Sequence, residues 1–152
     1  GLSLSLYGIL IVISQAVVMP YAVKALGERR LAIVGMAVGA FAMVGFGFTS
    51  AIWAVVLFMP IAALSDLVPP ALTALAANAT DEDRQGMVQG VIASLASIAA
   101  VVAPLVFTPV FGAFAQKGSE PYLPGAPFLL AGAMVVALII VATRGLPEGS
   151  DP

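Results

Sequence analysis

Five apolar stretches separated by brief polar punctuation fill this chain almost end to end, and they constrain its fold more than any other feature. They run from about Leu2 to Val23, Leu31 to Phe48, Ile52 to Ala77, Gly86 to Ala115 and Phe128 to Thr143. A helix crossing a hydrocarbon core of ~30 Å needs about 20 residues, so each stretch reads as a membrane span. Only 9% of the 152 residues are charged and 61% are hydrophobic. An ordinary soluble domain carries roughly 25% charged residues, and too few are present here to clothe a water-facing surface. The expected fold is an all-α membrane protein with about five transmembrane helices in residues 1–144 and a cytoplasmic tail at 145–152. Any function must lie within or across the bilayer.

Cysteine and histidine are both absent, which removes thiol nucleophiles, imidazole bases, disulfides and the commonest metal ligands. No enzyme activity and no cofactor is expected. The net charge is −2 and the basic residues are scattered, so there is no electrostatic footprint for nucleic acid. The chain opens at Gly1, without an initiator Met, directly in an apolar stretch, and reads as a piece of something longer.

Basic residues orient the spans. Lys24, Arg29, Arg30, Arg84 and Arg144 fall on one side, and Lys117 alone falls on the other. The excess marks the cytoplasmic side, so the C-terminus is expected inside and residue 1 outside.

Asp66 is the one ionisable residue expected deep in a span, and no basic partner exists within the spans. A charge at the bilayer centre costs at least ~2.5–3.5 kcal/mol, so the carboxyl must be paired, neutral or turned to water. A carboxyl withdrawn from water favours its neutral form, which suits it to take up and release a proton. The other reading is a neutral carboxyl bonded to a carbonyl freed by Pro69 and Pro70. Those prolines remove backbone donors and predict a break beside Asp66. Broken helices at membrane depth often mark transport sites. Gln15 and Ser14 are further polar groups at depth, and Gln15 suits an interhelical hydrogen bond as well as a substrate contact. Pro104 and Pro109 predict a bend in the long fourth span.

Gly35 and Gly39 form a GxxxG pair, and Gly86, Gly90, Ser94 and Ser97 form a small-residue stripe. Both suit close helix packing, or smooth faces that slide during transport. The run Thr80-Asp81-Glu82-Asp83-Arg84 fits a helix start better than a metal site, with Thr80 as N-cap and Asp83 at the capping-box position. Gly27-Glu28-Arg29-Arg30 reads as a tight turn whose arginines reach lipid headgroups or acids of another loop.

Three segments together resemble the C-terminal half of major facilitator superfamily transporters, nearest the tetracycline-resistance type of multidrug exporter. They are Leu26-Gly27-Glu28-Arg29-Arg30 before a span, Arg84-Gln85-Gly86 with Gln89-Gly90 opening the long one, and Pro104-Leu105-Val106-Phe107-Thr108 within it. The resemblance implies that the spans correspond to the last five of twelve helices in a multi-pass carrier of the bacterial inner membrane. It further implies export of a small amphipathic drug in exchange for protons, with a missing N-terminal half as partner. On this reading Asp66, Gln15 and Thr73 face the central cavity, Gly27, Glu28, Arg29 and Arg30 form a cytoplasmic gate, and Pro69, Pro70 and Pro104 are hinges. The gate departs from the family's loop motif, with Pro20 at its first glycine and Lys24 at its aspartate. Gly39 stands where tetracycline exporters carry an acid, so drug export is implied without tetracycline as the drug. A non-transporting remnant, a helix-packing subunit and a carrier of another small solute are the alternatives.

Overall fold

A computed structural model describes residues 2–49, 51–116 and 120–145, all helices and short connections, with no strand among them. The expected link residue Ser50, the loop lysine Lys117 and the tail from residue 146 lie outside the described residues. The elements are α1 (Leu2–Ile13), a π-helical stretch (Ser14–Val18), α2 (Met19–Phe48), α3 (Ile52–Ser65), α4 (Val68–Asn78), a single 3-10 turn (Glu82–Arg84), α5 (Gln85–Ala115) and α6 (Ala126–Gly145).

Four described helical segments are long and apolar enough to cross a membrane: Ser3–Phe48, Ile52–Asn78, Glu82–Ala115 and Ala126–Gly145. The first has 46 residues. At 1.5 Å per residue a straight helix of that length would reach about 69 Å, twice a hydrocarbon core. Gly27 divides it, with φ 72° and ψ 161°. Leu31 and Ala32, just after Gly27, belong to a buried cluster with Leu67 and Ala71, and Val18, Met19, Ala22 and Val23, just before it, pack on the same cluster. Residues equally distant on either side of Gly27 therefore share a level, and the chain doubles back there. Two antiparallel spans result, in keeping with the five read from the sequence.

Prolines place the other irregularities. Pro20 has no N–H to give and crowds the preceding turn. Just ahead of it the helix widens into the π stretch, where Met19 N–H donates to the Ser14 carbonyl. The third apolar stretch is interrupted as expected, but at Asp66 and Leu67, ahead of the proline pair. Pro69 and Pro70 sit in the first turn of α4, where a missing N–H costs no intrahelical bond. Pro104 and Pro109 lie inside α5, which stays helical from Gln85 to Ala115.

One expectation is overturned at the start of α5. Thr80 does not cap it: its hydroxyl donates to the Ala76 carbonyl at 2.7 Å, satisfying an acceptor left over at the end of α4. The 3-10 turn and α5 begin with no side-chain cap, so Asp83 completes no capping box.

Packing centres on α2 against α3, α4 and α6. A Cβ on Gly35 would lie 2.5 Å from Val68 Cγ2, and one on Gly39 would lie 2.9 Å from Ser65 Cβ, so only glycine allows this approach. At the end opposite Gly27, Gly47 and Gly125 meet backbone to backbone. By contrast, α5 has no buried residue, and a Cβ on Gly86 or Gly90 would meet nothing within 4 Å. The close packing expected of these two glycines is not made among the described residues.

Candidate functional site

Asp66 closes α3 with φ −70° and ψ 0°, and its half-buried side chain stands beside the break in the span. It lies 12 residues before Asn78, roughly 18 Å from that end at helical rise, which places it near the middle of the Ile52–Asn78 span. Tyr7 of α1 reaches it across 59 positions of sequence, and the phenol O–H donates to Asp66 Oδ2 at 2.7 Å. The neighbouring Ser65 hydroxyl turns away and donates to the Ala62 carbonyl at 2.6 Å. Gly39 of α2 backs the same turn through its contact with Ser65.

This geometry answers the question posed by a lone intramembrane carboxyl. The partner is a phenol donor, and neither a cation nor a freed backbone carbonyl fills that place. The phenol bonds one carboxyl oxygen, Oδ2, and leaves the second, Oδ1, without a phenol. Sequence reading missed Tyr7, although a tyrosine withdrawn from water usually finds a partner for its hydroxyl, and that was the available signal.

The other candidates are arranged differently. Gln15 is exposed within the π stretch, and Thr73 is half-buried in the second turn of α4. Among the described residues neither hydrogen-bonds to Asp66. Pro69 and Pro104 are exposed, and Pro70 is half-buried.

The residues after Gly27 tie three elements together. Asn78 Nδ2 donates to both Glu28 carboxylate oxygens, at 3.2 and 3.0 Å, joining α2 to the end of α4. Arg29 Nη2 donates to the Thr143 carbonyl at 3.3 Å, joining α2 to the last turn of α6. Arg29 Nε is buried without an acceptor, and Arg30 is exposed. At the opposite end an open recess of about 290 Å³ is lined by Phe46, Thr49, Val55, Pro124, Gly125 and Phe128. Phe46 packs there against Phe58 and Phe128, with ring centroids 6.0 and 5.6 Å apart. Among the described residues this recess is lined by no charged side chain, and it lies away from Asp66.

Comparison with known proteins agrees with this architecture. The family model described as Major Facilitator Superfamily matches residues 1–152. Tetracycline resistance protein, class C, of Escherichia coli is 35% identical over 141 residues, covering 88% of this chain and 36% of that protein. The class G tetracycline resistance protein of Vibrio anguillarum is 34% identical over 115 residues, covering 76% of this chain and 29% of the relative. Hippocampus abundant transcript 1 protein of Homo sapiens is 25% identical over 169 residues, covering 97% and 34%. The chain thus spans about a third of the length of the curated relatives it matches. No solved structure matches it.

Proposed function

Because this chain belongs to the major facilitator superfamily of multi-pass membrane transporters, we propose that it forms part of a proton-coupled exporter of small amphipathic, drug-like molecules, with Asp66 as the proton-accepting group. The observation that carries this reading is the Tyr7–Asp66 hydrogen bond beside a broken span. A carboxyl that needed only to be hidden would suffice as a neutral group bonded to backbone. A carboxyl given a phenol donor, in mid-span and beside a helix break, is placed as a proton-coupled carrier would need it.

Carriers of this fold move solutes by rocking two halves about a shared cavity. On this reading the residues here supply the C-terminal part, a bacterial inner membrane houses it, and the remaining helices supply the other wall. The α5 surface, with no residue buried, is where those helices would pack. Asp66, Thr73 and Gln15 would line the cavity, and the Gly27–Arg30 elbow would close its cytoplasmic mouth. The basic residues at that end, Lys24, Arg29, Arg30, Arg84 and Arg144, support a cytoplasmic C-terminus. The names of the class C and class G relatives support a drug as cargo. Gly39, where tetracycline exporters place an acid, argues against tetracycline itself.

The test measures efflux of a fluorescent amphipathic dye from inverted vesicles under an imposed proton gradient, using the gene product that carries these residues. Asp66→Asn is expected to lower gradient-driven efflux at least tenfold with normal membrane levels of protein. Unchanged coupling would remove Asp66 from the proton path. Co-production with the separately expressed N-terminal helices of the class C relative tests the need for a second half. Drug tolerance that appears only with both pieces supports a carrier, and its absence favours a non-transporting, helix-packing role.

A further inference from the structure

We infer that Tyr7 and Asp66 form a proton-released latch between α1 and the break that separates α3 from α4. The inference rests on the reading of Asp66 as the proton-accepting group and assigns Tyr7 as its positioning residue. Three observations converge. The Tyr7 O–H donates to Asp66 Oδ2 at 2.7 Å, so the bond ties α1 to the turn itself and not to the body of either helix. The backbone of that turn is weakly held: Leu67 N–H reaches the Leu64 carbonyl at 3.3 Å and Ala71 N–H reaches the Leu67 carbonyl at 3.2 Å, at or beyond the long end of ordinary N–H···O bonds. On the other side, Gly39 of α2 lies against Ser65 in a contact that a side chain at position 39 would not permit, so the turn is backed on the face away from α1.

Protonation then acts through the strength of one bond. A proton from water joins a carboxylate oxygen of Asp66, forming an O–H bond and cancelling the charge, while Tyr7 keeps its own phenolic proton throughout. The phenol now faces a neutral carboxyl, the charge-assisted bond becomes an ordinary one, and α1 is freed to separate from the break. Loss of the proton restores the bond and closes the latch. Among the described residues no other ionisable group faces Asp66 to confuse the response. The α2 positions lying against the turn and α4 include Leu31, Ala32, Gly35 and Gly39, none of them ionisable, and Lys24, Glu28, Arg29 and Arg30 lie at the far elbow. Tyr21 of α2 is 73% exposed, α4 carries no ionisable residue, Asp81 to Arg84 precede α5, and the single charge on α6 is Arg144 in its last turn.

The sequence contains no cysteine, so a pair of introduced cysteines can be spin-labelled uniquely. Leu4→Cys on α1 and Leu57→Cys on α3 are suitable because both side chains are exposed, 77% and 62%. Interspin distances are measured by pulsed electron resonance in lipid nanodiscs at about pH 5 and about pH 8, on either side of neutral operation. With Tyr7 and Asp66 intact, the short-distance population is expected to fall roughly tenfold on acidification, the factor that separates an ionic from a neutral hydrogen bond. Tyr7→Phe keeps the ring and its packing, and should give the long distance at both pH values. Asp66→Asn should give distances that do not respond to pH. A pH response that survives in Tyr7→Phe, or no response in the unaltered pair, overturns the latch. If both variants abolish the response while Asp66→Asn leaves dye efflux intact, the latch stands and the transport reading of Asp66 falls.

Discussion

Gly27, Asp66 and Arg29 each meet a demand that few other side chains meet. Gly27 holds φ 72° and ψ 161°, a region open essentially to glycine alone, and it is the only described residue with positive φ of this kind. Gly27→Ala leaves ample space around the new methyl group, since nothing lies within 4 Å, so the whole cost is backbone strain. It is expected to destabilise the protein by about 1–3 kcal/mol, read as a lower midpoint of thermal unfolding in detergent. Arg29 spends one donor on the Thr143 carbonyl and leaves Nε buried without an acceptor. An orphaned buried donor costs about 1–3 kcal/mol, so Arg29→Met should lose little stability despite deleting a hydrogen bond. A fall of several kcal/mol in the same unfolding assay would show that the Thr143 bond outweighs the orphan.

Among the helices, the contrast between α2 and α5 is a contrast between a filled face and an empty one. Gly39→Leu drives a side chain into Ser65, and overpacking of this sort is expected to cost about 1–3 kcal/mol or more. Gly90→Leu on α5 projects into open space and should change stability by less than about 0.5 kcal/mol. Equal losses at the two sites would mean that α5 is packed in the folded protein. At the interrupted span, Pro69→Ala should leave the break in place, because Pro69 opens α4 and breaks no ladder. Unaltered thermal stability, within about 0.5 kcal/mol, checks this. The break belongs to the Asp66–Leu67 turn, and the prolines begin the helix that follows it.

For the whole molecule, the bundle is lopsided: α2 gathers α3, α4 and α6 around it, and α5 stands with no residue buried. In lipid, apolar exposure by itself drives no association, so α5 can remain solvated by acyl chains until a shape-matched helix arrives. If the remaining helices of a carrier dock there, Gly90→Leu should abolish drug tolerance in the co-production experiment while leaving this chain's own unfolding unchanged. That pairing of outcomes separates a docking surface from a lipid-facing one.

Hydropathy and punctuation were enough to determine that these residues cross a bilayer as about five helices, that the chain reverses at Gly27, and that one acid lies within a span beside a break. These properties are local: each depends on a run of neighbours or on the φ freedom of a single glycine. The tertiary structure alone decided that Tyr7 answers Asp66, that Thr80 closes α4 and does not open α5, that Gly35 and Gly39 are filled faces, and that Gly86 and Gly90 are not. A hydrogen bond across 59 positions, or a glycine meeting Val68, depends on which helix lies beside which. Helical periodicity assigns a residue to a face of its own helix, and packing in three dimensions determines what that face meets.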